Sequence, residues 1–196
     1  MTTYLRPALV LLGVFSLLTG AAYPLAVTGV AQAMFPSQAN GSAVVRNGTV
    51  VGSSLIGQSF MSDRYFHGRP SATSAPDPKD PSKTVDSPYN AANSTGSNLG
   101  PSSAALKAAV AERVAALGGG VQPAELVTAS GSGLDPDISP RGAEVQIARV
   151  AKARGLSDER LRLLVQAQTE PRLLGVLGEP RVNVLALNLA LDRLAP

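Results

Sequence analysis

Residues 7–35 read PALVLLGVFSLLTGAAYPLAVTGVAQAMF, and no charged side chain occurs between Arg6 and Arg46. Ala8 to Val30 alone is 23 residues, about 34 Å of helix against a hydrocarbon core of about 30 Å. This run decides the architecture, because it can cross a membrane once and leaves everything after it on one side. Ala31, Gln32 and Ala33 form an AxA site behind the apolar stretch. The competing reading is therefore a cleaved signal peptide that releases a free periplasmic or cell-surface binding protein. A signal peptide's apolar region runs about 7 to 15 residues. The longer stretch here favours a retained anchor. Arg6 is the only basic residue before the span, which orients the helix with its N-terminus in the cytoplasm. Pro24, next to Tyr23, leaves a backbone carbonyl to be satisfied inside lipid, and Gly20 and Gly29 suit close helix approach. Gly20, Tyr23, Pro24 and Gly29 are thus the candidates for an interface with other membrane helices.

Outward from the span, the expected layout has three parts. Residues 1–6 are a short cytoplasmic N-terminus, 7–35 the transmembrane helix and membrane exit, and 36–196 a single external α+β domain long enough to bury its own core. Ala43–Val45 and Thr49–Val51 flank Asn47-Gly48, the signature of a type I′ hairpin. Residues 70–101 are rich in Pro, Ser, Asn and Gly and read as a long polar surface loop. A first helix presents Leu106, Val110, Val114 and Leu117 and stops at Gly118–Gly120. ELVTAS (125–130) reads as a short strand. A second helix is expected from Pro140 to about Arg154, with Ala143, Ile147, Val150 and Ala151 inward. Its basic residues Arg141, Arg149, Lys152 and Arg154 make a surface able to meet phosphate, although a solvated face is the commoner meaning of such a pattern. A third helix starts near Ser157 and ends before Pro171. VNVLALNLALDRL (182–194) alternates like a strand, yet its length and its Ala and Leu content predict helix.

Composition narrows the chemistry. There is no cysteine and one histidine, His67. Disulfides, thiolate nucleophiles and cysteine zinc sites are excluded, and His67 in YFHGRP reads as a partly buried structural residue. The 17 basic and 14 acidic residues are scattered and only eight aromatics occur, which argues against nucleic acid as a partner. TASGSGLDPDISP (128–140) resembles several site loops and matches none. Pro136 stands where a dinucleotide fingerprint needs its third small residue, and no lysine follows a glycine as a phosphate loop requires. Read as a calcium loop from Asp135, it has Pro140 in place of the turn glycine and Gln146 in place of the last glutamate. The loop is expected to be a turn into a helix, with Gly131 and Gly133 free to take positive φ, Ser139 as cap and Pro140 as first helical residue. Asp135 and Asp137 are expected to shape the fold and to bind no metal. No catalytic residue and no metal site are predicted.

The run of motifs TGAAYPLAVTGVAQAMFPSQANGS, SLIGQSF, YFHGRPSAT, YNAANSTGSNLGPSS, ELVTASGSGLDPDISP, RVAKARGL and VNVLALNLALD resembles the KdpC family over essentially the whole chain. That family supplies the C subunit of the bacterial Kdp potassium-transporting P-type ATPase. The resemblance implies a retained single-pass anchor in the plasma membrane. It also implies a non-catalytic role beside three partners: a potassium-channel-like subunit, a P-type ATPase subunit and a small membrane subunit. The chain itself has no DKTGT phosphorylation motif and no TVGYG-type filter. The resemblance further implies a catalytic-chaperone role that raises the ATPase subunit's affinity for ATP. ATP is then met through the complex, with no tightly bound cofactor. An external domain cannot touch cytoplasmic nucleotide, so such an effect would be coupled indirectly through membrane helices. Gln166 and Gln168, in QAQTEPR, are the nucleotide candidates carried over by resemblance. Thr169 and Glu170 stand where relatives are expected to carry paired glutamines.

Overall fold

The computed structural model describes residues 2–194, so Met1 and the last two positions of the expected 36–196 domain lie outside the described residues. The chain divides into two compact units, Met1–Val51 and Gly52–Pro196. It is a mixed α and β structure with one N-terminal apolar helix.

In the first unit, α1 (Thr2–Leu17) and α2 (Tyr23–Met34) are joined by a π-helical turn at Leu18–Ala22. Together they make one helix, Thr3–Met34, whose apolar window is wholly unburied and whose length and composition suffice to cross a membrane. The π turn answers the problem posed by Pro24. A proline ring collides with the carbonyl four residues back, and a widened turn makes room for it. Here the Tyr23 N–H reaches back five residues to the Leu18 carbonyl. The Thr19 hydroxyl donates to the Phe15 carbonyl at 2.7 Å, a further local adjustment of the same turn. Phe35 leaves helical geometry ahead of the short α3 (Pro36–Ala39). The Asn40 amide then donates to the Pro36 carbonyl at 2.7 Å and pairs with the Gln32 side chain, tying off the exit. The hairpin of β1 (Ala43–Arg46) and β2 (Thr49–Ser53) follows. Its turn residues Asn47 and Gly48 have φ of 52° and 76°, the two positive values of the expected type I′ turn.

In the second unit, a three-stranded antiparallel sheet has the order β5 (Asp137–Ile138), β7 (Arg181–Asn183), β6 (Thr169–Glu170). Ile138 and Thr169 both pair with Val182. The sheet and helices α6 (Pro140–Glu144), α7 (Ile147–Arg154), α8 (Asp158–Ala167) and α9 (Val184–Leu194) enclose one core. Its fully buried residues include Phe66, Ile147, Leu161, Val182, Leu187 and Leu191. Ser139 and Ser157 cap α6 and α8, accepting from the Gly142 and Arg160 amides, and Gly155 ends α7 with φ 66°.

Four sequence expectations are corrected. ELVTAS is no strand: Ala124–Val127 forms α5, a helical turn that buries both Leu126 and Val127. Pro123 turns the chain into it, and the helical turn lets two successive side chains face the same core, where strand neighbours would point to opposite faces. The expected helix from Pro140 to Arg154 is two helices. Between them the Gln146 N–H bonds only three residues back, to Ala143, because its side chain is drawn inward. Val182 and Asn183 belong to the central strand β7, and the helix predicted there starts at Val184. The polar segment 70–101 contains a ladder of β3 (Ser74–Pro76) with β4 (Thr84–Asp86), and a 3-10 turn at Ala91–Asn93. Before α5 the chain forms α4 (Ala104–Ala116), whose apolar face is half-buried and whose end is made by Gly118–Gly120, all at positive φ.

Candidate functional site

The organising feature of the second unit is the segment 63–73, DRYFHGRPSAT, which belongs to no sheet. Its backbone is held by side chains instead. The Phe66 N–H donates to Asn188 Oδ1, and Asn188 Nδ2 donates back to the Phe66 carbonyl, each at 2.9 Å. One residue on, the His67 N–H donates to Gln146 Oε1 at 2.8 Å and Gln146 Nε2 donates to the His67 carbonyl at 3.1 Å. Two buried carboxamides thus satisfy the donors and acceptors that a neighbouring strand would otherwise take.

The arginines of α7 complete the clamp. Arg149 donates to the Asp63 and Tyr65 carbonyls and to Gln146 Oε1. Arg154, with its side chain 3% exposed, donates to the Arg64 carbonyl and pairs with Asp192 at 2.8 Å. Its guanidinium lies 4.7 Å from the centre of the Tyr65 ring. The reading of these residues as part of a solvated basic face is therefore wrong for Arg149 and Arg154. They are spent on the protein's own backbone.

Segments 65–73 and 128–140 are knitted together. Arg69 pairs with Asp135 at 2.9 Å, and the Ser71 hydroxyl donates to the Gly133 carbonyl at 2.7 Å. Tyr89 donates from its hydroxyl to the Arg69 carbonyl at 2.6 Å. Gly133 has φ 68°, and a Cβ there would lie 2.5 Å from Thr73 Cγ2 and 2.6 Å from the Thr95 carbonyl oxygen. Gly131 is not among the positive-φ residues, so only one of the two predicted positions uses that freedom. Asp137 accepts from Asn183 at 3.1 Å and faces Arg181 at 3.3 Å. Both aspartates thus have organic partners, and among the described residues no cluster of three metal-ligating side chains occurs.

Electrostatics follow the packing. Burial, and then the Arg149 charge, lower the pKa of His67 below its ordinary value, while its ring nitrogen sits 3.1 Å from the Ser62 carbonyl. Burial pushes the Tyr89 hydroxyl up to about 12. Asp137 is raised by burial, which outweighs the opposing Asn183 and Arg181.

Beside the clamped segment lies a cavity of about 330 Å³ between residues 58–71 and the end of α4. A second cavity, of about 230 Å³, shares His67, Ala116, Leu117 and Gln146 with it. Neither Gln166 nor Gln168 lines these cavities. Gln166 is exposed on α8, and Gln168 is its half-buried C-cap, donating its N–H to the Leu164 and Val165 carbonyls. On the membrane helix, Gly20, Tyr23 and Pro24 cluster around the π turn. Gly29, five residues after Pro24, points about 140° away from it on an ideal helix.

Sequence reasoning missed Asn188, Gln146 and Tyr89. A signal for the first two was present: each is a carboxamide on an otherwise apolar helical face, Asn188 among Val184, Leu187 and Leu191, and Gln146 among Ala143, Ile147 and Val150.

Comparison with known proteins matches residues 5–193 to the family described as KdpC: K+-transporting ATPase, c chain. A potassium-transporting ATPase KdpC subunit from Rhodopseudomonas palustris (strain BisB5) is 63% identical over 192 residues, 96% of each chain. One from Methylobacterium nodulans is 64% identical over 199 residues, covering 100% of this chain and 99% of the relative. One from Bradyrhizobium diazoefficiens is 60% identical over 195 residues, 97% of each. With both units covered from end to end at this identity, the chain belongs to the KdpC family.

Proposed function

We propose that this chain is a non-catalytic subunit of a potassium-transporting P-type ATPase. It is held in the plasma membrane by the Thr3–Met34 helix, with residues 1–6 in the cytoplasm and the second unit outside. The observation that carries this reading is the near end-to-end similarity to KdpC subunits, joined to a helix that is apolar and wholly unburied. A non-catalytic role is supported by the use of the second unit's polar groups. Its buried carboxamides and the arginines of α7 are engaged in holding segment 63–73, which leaves them structural work rather than chemistry. The partners are the potassium-channel-like, ATPase and small membrane subunits, together with lipid.

The chain acts as a catalytic chaperone, raising the ATPase subunit's affinity for ATP by coupling through membrane helices rather than by holding nucleotide. Gln166 and Gln168 are the positions at which direct nucleotide contact would have to be tested. Purification through a tag on the full chain in mild detergent decides the class. Recovery of the channel-like and ATPase subunits is expected, and a chain that elutes alone would overturn the reading. An intact mass beginning at Met34 would instead establish the released periplasmic protein.

A further inference from the structure

The two cavities beside segment 63–73 adjoin at four shared wall residues, His67, Ala116, Leu117 and Gln146, and together make a groove on this face. The wall of the larger cavity is mainly apolar and that of the smaller is about half polar, and apolar side chains continue past the mouth. Met61 and Val121, which line one cavity each, are 86% and 89% exposed. A small molecule seated inside would leave this rim in water. A chain lying along the groove would cover it.

The charge of the groove has one sign to spare. Arg69 has Asp135 and Arg149 has Asp63 as carboxylate partners. Arg113, half-buried in the wall, donates from Nη1 to the Val127 carbonyl at 3.0 Å. Among the described residues it faces no carboxylate within ion-pair distance, which leaves Nη2 and Nε as a fork suited to a carboxylate. His67, at the junction of the cavities, is kept neutral near pH 7 and does not add to this charge.

We propose that the groove receives an extended apolar segment of another subunit of the transport complex, and that a carboxylate on that segment pairs with Arg113. The inference rests on the subunit reading above and adds to it the docking site and the chemistry that recognises the partner.

The test places a photo-crosslinking side chain at Met61 or Val121 of the tagged full chain, with Lys79, exposed on the β3–β4 connection, as the control position. The complex is irradiated in native membranes, purified, and the cross-linked peptides sequenced. Both groove positions are expected to capture the same segment of one other subunit, with Asp or Glu among apolar residues, while Lys79 does not. Arg113→Glu should lower the yield at least about tenfold, as loss of a desolvated charge pair does. Replacing the captured acid with lysine in that background should restore it. Met61→Asp, on the exposed rim, should weaken capture from Val121 without touching the fold. Recovery of the complex with no capture in the groove, capture of a second copy of this chain, or capture of a segment without a carboxylate each overturns the groove proposal alone. A chain that purifies without the other subunits overturns the subunit reading and the groove with it.

Discussion

Two of the segments that lie outside the three-stranded sheet of the second unit are held in opposite ways. Residues 65–73 make few backbone pairs of their own, yet Phe66 and Thr73 are buried: the Asn188 side chain holds the Phe66 backbone, and the Thr73 hydroxyl donates to the Ser87 carbonyl while its N–H donates to the Ser71 hydroxyl. Residues 173–177 close on themselves, with the Leu173 and Leu177 backbones exchanging bonds of 2.9 and 3.0 Å across a turn of Leu174, Gly175 and Val176. That turn is held locally, and its side chains are left in water, Leu174 being 84% exposed. Order supplied by distant buried amides is cooperative with the core and fails with it. Order supplied by a tight turn is independent of the core and tolerant.

The largest break in this contrast should come from Asn188→Leu. The Phe66 N–H and carbonyl would be left buried without partners, at about 1–3 kcal/mol for each unsatisfied group. A loss of roughly 3 kcal/mol in chemical unfolding of the detergent-solubilised full chain is expected. A loss below 1 kcal/mol would show that the segment is held by something else. Gly133→Val comes next. A β-branched residue at φ 68° with no space for its Cβ should lose about 2 kcal/mol. The comparable change at Gly175, also at positive φ but with nothing near its Cβ, should cost less. Equal losses at the two glycines would erase the distinction between crowding and conformation.

A smaller effect is expected from pH. Burial lowers the pKa of His67 in the fold, so below about pH 6.5 the unfolded chain binds the proton that the folded chain refuses. Stability should be full above that value and decline as pH falls from it towards the folded pKa. His67→Gln should flatten this part of the stability profile, and an unchanged slope would assign it to other groups. The smallest effect should have the opposite sign. Leu174 sits at φ 54°, where asparagine is better tolerated than a large apolar side chain. Leu174→Asn should therefore raise stability by roughly 0.5 kcal/mol. A loss of similar size would show that the exposed leucine is needed by the fold itself.

Much of this architecture is local and could be read from residue order. The span is legible because about 23 uncharged residues admit one answer in a bilayer. The Asn47-Gly48 turn, the serine caps of α6 and α8 and the stop at Gly155 each depend on a few adjacent residues. Pro24 announced a disturbance in the helix, though a π turn absorbs it within the chain. What residue order could not decide is which polar groups go inward. Gln146 splits a continuous helical pattern because its amide meets the backbone of a segment 79 residues away. Arg149 and Arg154 leave a face that reads as solvated because carbonyls 84 and 90 residues away are waiting for them. Val182 is a strand residue because Ile138 and Thr169 flank it, although its own neighbours favour helix. In each case the deciding partner is distant in sequence. A buried donor or acceptor must be satisfied by whatever the folded chain brings beside it, and that need overrides local preference.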